Sequence, residues 1–519
     1  MSPLPRGMTK KRYDFVEISA TAERYQTSMS DSSALPLLRM LAACAQRENA
    51  AFHTPGHKKQ ASSIELQNLI GTAVFRADLP ELPELDNLFA PQGVIAEAQN
   101  FAAKTFGADQ THFLVNGSTC GIIAAILSTC APKDKILLPR NVHRSIISGL
   151  ILSGAMPIFL QPEYDRALGI AHSITPETVA AALNQHPDAK AVLMVYPTYY
   201  GVCGNIEAIA NLAHAADIPL LVDEAHGAHF AFHPDLPISA LSAGADLTVQ
   251  STHKTLSAFT QASMLHTKGN LKEISAKADR IDSDRLTQAL QLVQSTSPNY
   301  LLLASLDSAC EQMARTGKAL MQKTINLADQ ARSRLESIPG LSLLQPQHTS
   351  GFFALDSTRL TVTVSELGID GFVADEILHQ KFGVTAEFPS MQHLTFIVSL
   401  GNTQEDLDRL VNAFEHLAAN YQSNQTFQSV PIFQAPVAPM TPREAFFALA
   451  EVVEIDHAID RISTETICPY PPGIPVLLPG ERVTQGSIEQ LQAILQAGGS
   501  ISGCADPSLR TLKVVKADA

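Results

Sequence analysis

Ser251-Thr252-His253-Lys254-Thr255 follows a short apolar run, Asp246-Leu247-Thr248-Val249-Gln250, with the length of a buried β-strand. A lysine just past a strand end, with a hydroxyl and an imidazole before it, suits an aldehyde that also carries a phosphate. The amine can form a Schiff base, and Ser251 and His253 can reach phosphate oxygens. Taken alone, the stretch also fits a solvated lysine at a strand end. The sequence on either side decides between the two.

Short apolar runs recur at 112–115, 135–138, 157–160, 190–196, 218–222, 246–249 and 263–266. Helix-length segments such as Gly121 to Thr129, Pro176 to Gln185 and Ile206 to Ala216 separate most of them. This alternation predicts an α/β domain whose mostly parallel sheet is covered on both faces. The run at 263–266 follows a short connection and is expected to be antiparallel. In such sheets ligands sit at the carboxyl ends of the strands.

The reactive residue types fall at those ends. After 112–115 comes Asn116-Gly117-Ser118-Thr119-Cys120-Gly121, which reads as a phosphate cradle at a helix N-terminus or as an ordinary N-cap. After 135–138 comes His143, which can lie flat on an aromatic ring or be a surface histidine. After 218–222 comes Asp223-Glu224-Ala225-His226. A carboxylate at a buried strand end needs a partner, and a protonated ring nitrogen is one. Asp223, one α-crossover, then Lys254 is the spacing expected when one cofactor ring bridges both. Carboxylate on pyridine nitrogen and amine on aldehyde are the two ends of pyridoxal 5′-phosphate (PLP).

The rest of the chain divides around this unit. Residues 1–50 read as an N-terminal arm with one amphipathic helix, Ala34 to Arg47, and 51–325 as the large PLP-binding domain. Within it, Phe52 to Lys58 is a Pro-Gly turn flanked by two histidines. Asp78 to Asn87 carries four acids and reads as a solvated loop or as the wall of a cation-binding cleft. A helical region from Leu271 to about Ser337 breaks between Leu292 and Tyr300. Residues 326–420 form a smaller α+β domain, with strands near 342–345, 352–355, 360–364, 384–388 and 394–399 and helices at 370–381 and 403–419. Residues 421–443 are a proline-rich linker. The remaining 444–519 form a C-terminal α+β domain, with one expected helix from Pro442 to about Val453. Its Pro-rich run, Cys468 to Glu481, reads as a wall around a site or as a clasp.

Composition narrows the function. Hydrophobic residues make up 45% and charged residues 17% of 519, as in a globular protein, and the length implies two or three domains. A net charge of −14 argues against a nucleic-acid partner. The seven cysteines are scattered and never form C-x-x-C, so neither a disulfide framework nor a metal site is expected. With no apolar leader in Met1 to Glu17 and no membrane-length apolar stretch, a cytoplasmic location is expected.

The chain resembles the PLP-dependent Orn/Lys/Arg decarboxylases of fold type I, in their short bacterial form without an N-terminal wing domain. The resemblance runs from Phe52 onward and rests on residues 54–58 (TPGHK), 85–88 (LDNL), 113–119 (FLVNGST), 140–143 (RNVH), 223–226 (DEAH), 251–255 (STHKT), 292–298 (LVQSTSP) and 470–475 (YPPGIP). It implies that Lys254 carries PLP, Asp223 pairs with its ring nitrogen and His143 stacks on the ring. Ala225 and His226 complete the cofactor pocket, and Ser118, Thr119, Ser251 and His253 hold the phosphate. Thr296 is implied to reach the phosphate of a neighbouring subunit, making a homodimer or higher oligomer with shared sites. Two departures stand out. Gln60 replaces a usual glycine, and Ala458-Ile459-Asp460-Arg461 replaces a usual Gly-Arg.

The reaction implied is decarboxylation of a basic amino acid on the route to polyamines. Arginine, giving agmatine, is expected, with lysine or ornithine as alternatives. A non-catalytic PLP-binding regulatory homologue, and an aminotransferase or desulfurase on the same fold, are the other readings. Selectivity then falls to acids that meet the distal cation, and Glu481, Asp86 and Glu387 are the candidates.

Overall fold

A computed structural model describes residues 35–60, 63–269, 280–421, 438–470 and 473–517. The arm before residue 35, the stretch 271–279 of the expected helical region, linker residues 422–437, and Pro471 and Pro472 of the Pro-rich run lie outside the described residues.

The seven apolar runs form one seven-stranded sheet. Its strands are β1 (Gln110–Leu114), β2 (Lys135–Pro139), β3 (Met156–Leu160), β4 (Ala191–Val195), β5 (Leu220–Asp223), β6 (Leu247–Gln250) and β7 (Ser263–Thr267). They lie in the order β1-β7-β6-β5-β4-β2-β3. Neighbours from β6 to β3 pair in parallel, and β7 lies antiparallel between β1 and β6, as its short connection predicts.

Side chains alternate between two buried faces. Phe113, Leu137, Val192, Met194, Leu220, Val222 and Met264 enter one core, while Leu114, Ile136, Leu138, Leu193, Leu221, Val249 and Leu265 enter the other. The first core is roofed by α1 (Pro36–Gln46), α2 (Val94–Phe106) and α6 (Ile206–Ala215). The second is roofed by α3 (Gly117–Thr129), α4 (Arg144–Ser153) and α7 (Ser283–Val293). A further helix, α5 (Pro176–Gln185), packs against α6. Burial on both faces is why these strands read as continuous apolar runs.

Helix α1 is built into the large unit. Leu37, Leu41 and Cys44 enter its core, and Asp307 Oδ2 accepts the Leu37 and Leu38 N–H groups at 3.1 and 2.9 Å. Asp307 lies on α8 (Tyr300–Glu336), which starts after the expected break with Asn299 as its N-cap. Residues of α8 up to Ile325 join the large core, and residues from Leu327 join a second core around the smaller sheet.

That sheet has strands β8 (Ser342–Leu343), β9 (Arg359–Thr363), β10 (Phe388–Pro389) and β11 (His393–Ile397), in the order β8-β9-β11-β10, covered by α9 (Gln404–Asn420). The expected strand at 352–355 is displaced from it. Ala354 and Leu355 pair with Cys203 and Val202 of the large unit, because Phe352 is buried beside Ile170 and Val202.

The tail differs from expectation. Its first helix ends at Phe447, and Ala450–Glu454 form a strand paired with Thr511–Val515. A further helix, α10 (Gln485–Gln496), opens on a capping box at Thr484 and Ser487. Among the described residues, no helix is long and apolar enough to cross a membrane.

Candidate active site

Parallel pairing sets Asp223, the last residue of β5, opposite Val249 of β6. Lys254 follows on the one-turn helix Thr252–Thr255, so acid and amine leave neighbouring strands at the same end of the sheet. Gly117 turns the chain from β1 into α3 with φ at +74°, a conformation that favours glycine. Ser118 and Thr119 then fall on the first turn of α3. Ser251 Oγ donates to Ser118 Oγ at 2.7 Å, which brings two hydroxyls together beneath that helix N-terminus. His143 follows β2 and caps α4, its Nδ1 accepting from the Ser145 N–H at 3.2 Å.

Lys254 Nζ lies 3.1 Å from His226 Nε2. On its far side, His226 Nδ1 lies 3.1 Å from Arg359 Nη2. The Tyr199 ring meets the His226 ring edge-on, with centroids 5.1 Å apart. Ala225 is buried, and its N–H donates to Asp223 Oδ1 at 3.2 Å. His253 Nδ1 meets the Ala262 carbonyl oxygen at 2.9 Å.

Burial dominates the proton affinities. It lowers that of Lys254, against the fields of Asp223 and Glu387. It raises that of Asp223, against the field of Lys254. Burial, and then Lys254, bring His143 down to about 4. His226 lies well below its ordinary value for the same reasons, with Arg359 adding to them. Burial also lowers His253.

The candidate substrate acids separate. Glu387 is exposed, and its charge reaches Lys254, His253 and Arg359. Glu481 is corrected. It is 1% exposed, and its carboxylate accepts from Arg140 Nε at 3.1 Å and Nη2 at 2.9 Å and from the Leu478 N–H. Arg140 also donates to the Pro475 and Val476 carbonyls, so the described part of the Pro-rich run is a clasp onto the loop after β2. Asp86 is corrected too. Its carboxylate accepts backbone N–H groups of Asn87, Gln92, Gly93, Ile95 and Ala96 at 2.8 to 3.3 Å, which holds the start of α2.

The other acids of that loop are paired as well. Asp78 meets His57, Glu81 accepts from Asn87, and Glu84 pairs with Arg47, so the loop is not an open cation-binding wall.

Thr296 is exposed in the break before α8, in a loop tied to its own chain where the Ser295 N–H donates to Asn116 Oδ1 at 3.0 Å. Arg359 was not among the expected site residues. A charged residue opening a strand normally faces water, and nothing local to it points to the large unit. Among the described residues, no group of three or more His, Cys, Asp or Glu side chains is placed to hold a metal ion.

The large unit, with its single reversed strand and its lysine and aspartate at adjoining strand ends, has the fold-type I architecture of PLP enzymes. The Orn/Lys/Arg decarboxylase major domain matches residues 35–406, and the C-terminal domain of the same family matches residues 422–504. The chain belongs to the Orn/Lys/Arg decarboxylase family. It is 40% identical to an arginine decarboxylase of Halalkalibacterium halodurans, over 94% of this chain and 99% of that one. It is 39% identical to an arginine decarboxylase of Bacillus subtilis, over 93% of this chain and 98% of that one. Among solved structures, lysine decarboxylase A from Pseudomonas aeruginosa superposes with a TM-score of 0.77 at 25% identity, covering 93% of this chain and 80% of that one.

Proposed function

We propose that this chain decarboxylates L-arginine to agmatine and carbon dioxide, with PLP carried on Lys254. The observation that carries the reading is the placement of Asp223 at the end of β5 and of Lys254 just after the adjoining parallel β6, at the same end of the sheet. The residues present fit the cofactor. A buried carboxylate stands ready for a ring nitrogen, an amine of lowered proton affinity for an aldehyde, and a helix N-terminus with joined hydroxyls for a phosphate. Bound there, PLP supplies a sink for the electron pair left when the bond from Cα to the carboxylate breaks.

The protein's own part is orientation and charge. Asp223 would keep the ring nitrogen protonated, and His143 would lie against the ring. Ser118, Thr119, Ser251 and His253 would hold the phosphate. Lys254 and His253 are the two candidates to return a proton to Cα. Glu387, exposed and with a charge that reaches the same cluster, would meet the distal cation of the substrate. The preference for arginine rests on relatives bearing that name at 39–40% identity, against 25–27% for lysine decarboxylases. Six of the seven cysteines are buried and all are free, which supports a reducing compartment, the cytoplasm.

Two measurements test the reading. Borohydride reduction and peptide mapping should leave a pyridoxyl group on Lys254, and a label on Lys58 or Lys268 instead overturns it. Values of kcat/KM should rank arginine above lysine and ornithine. A larger value for lysine ends the arginine assignment.

A further inference from the structure

We infer that Arg359 is a positioning residue: it fixes the tautomer of His226 and through it holds Lys254 as the neutral amine. The inference rests on the reading of Lys254 as the cofactor lysine and goes beyond it to a residue of the smaller unit.

Arg359 opens β9 and is 1% exposed. The large unit makes room for it at Gly201, where φ is +83° and a Cβ would lie 2.8 Å from Arg359 Cβ. A guanidinium can only donate hydrogen bonds. Arg359 Nη2 lies 3.1 Å from His226 Nδ1, so Nδ1 must offer its lone pair. A neutral imidazole then carries its one proton on Nε2. Nε2 lies 3.1 Å from Lys254 Nζ, so the N–H points at the amine and the amine must accept. An ammonium has no lone pair with which to do so. The opposite assignment, with an ammonium donating to Nε2, would put the ring proton on Nδ1, facing the guanidinium N–H.

The surrounding charges do not undo this. Asp223 and Glu387 favour the ammonium form of Lys254, while Arg359 opposes it. Lys254, Arg359, His143 and His253 all disfavour a charged His226. Asp356 lies near Arg359, but its Oδ1 accepts from the Thr358 N–H and Oγ1 at 3.0 and 2.6 Å, and its Oδ2 faces His229 at 3.3 Å. The Arg359 Nε and Nη1 atoms are buried without a hydrogen-bond partner. The consequence is chemical. Condensation of an amine with an aldehyde, which forms the C=N bond and releases water, needs the nitrogen lone pair.

The test uses the full chain freed of cofactor. With 15N-labelled histidine, the His226 signals, assigned by their loss in His226→Leu, should show a protonated, pyrrole-type Nε2 and a pyridine-type Nδ1. The reverse pattern overturns the inference even if no Arg359 variant folds. Uptake of PLP is then followed by absorbance against pH. Arg359→Met should slow uptake at pH 7 about tenfold, as one unit of pKa implies, and move the profile to higher pH. Arg359→Lys, which keeps a donor and the charge, should stay near the parent. In a His226→Leu background Arg359→Met should add only the smaller, direct effect of its charge on Lys254. An equal shift there means that Arg359 acts on Lys254 by charge alone, and it overturns the inference. If the parent protein takes up no PLP, the cofactor reading fails while the histidine spectrum still decides the tautomer.

Discussion

Asp223 and Lys254 act on each other's protons in opposite senses. The carboxylate raises the proton affinity of the amine, and the amine lowers that of the carboxylate, while burial opposes both charges. Asp223→Asn therefore separates two quantities that a general loss of structure would move together. Removing the anion lowers the pKa of Lys254 further, so the amine stays neutral to lower pH, and PLP uptake should persist at a pH where the parent's has faded. Turnover should fall about 100-fold or more, since the electrostatic support of the ring is gone. Uptake against pH and kcat are the two readouts, and an unchanged kcat removes Asp223 from its role. On the proposed reading, Glu387 is the acid that would meet the substrate's far end. Glu387→Gln should lower kcat/KM for arginine about tenfold, mostly through KM, because the lost contact is with a charged group.

At the scale of elements, the sheet was legible and the tail was not. A strand buried on both faces shows itself as an apolar run, and Leu137 and Met194 are flanked on both sides by apolar residues. The strand Ala450–Glu454 is short, with no strict alternation in Ala-Glu-Val-Val-Glu, and it follows a capping box at Thr441 and Glu444, so the helix start reads on through it. Glu481 fails differently. A carboxylate after a Pro-rich run looks the same in sequence whether it meets a ligand or Arg140, and Arg140 lies hundreds of residues away. Arg359 could not be found either, because its partner His226 belongs to another unit.

The clasp carries its own prediction. Arg140→Met leaves Glu481 buried without its cation, a change that costs about 3–5 kcal/mol. Thermal unfolding should start at lower temperature, with the C-terminal unit opening first in hydrogen exchange. Glu481→Gln should change kcat/KM for arginine, lysine and ornithine by one common factor. A loss confined to arginine would return Glu481 to the substrate site.

At the scale of the whole molecule, the question is whether one chain makes a complete site. Leu292 is 79% exposed, Leu69 80% and Phe52 95%. Leu292 ends α7 next to the loop that holds Thr296, so a second copy seated there would meet the break before α8. Against this, that loop is tied to Asn116 of its own chain, the residue before Gly117 and the first turn of α3. Mixing subunits separates the two. If Thr296 serves the neighbour's phosphate, Lys254→Ala and Thr296→Val lie in different halves of one composite site. A mixed dimer then has one site with both defects and one with neither. Each parent variant should be nearly inactive, and the mixture, after exchange proven by mass, should regain up to about half of the activity per mixed dimer, as one intact site in two requires. If Thr296 acts within its own chain, every site in the mixture keeps one defect and no activity returns.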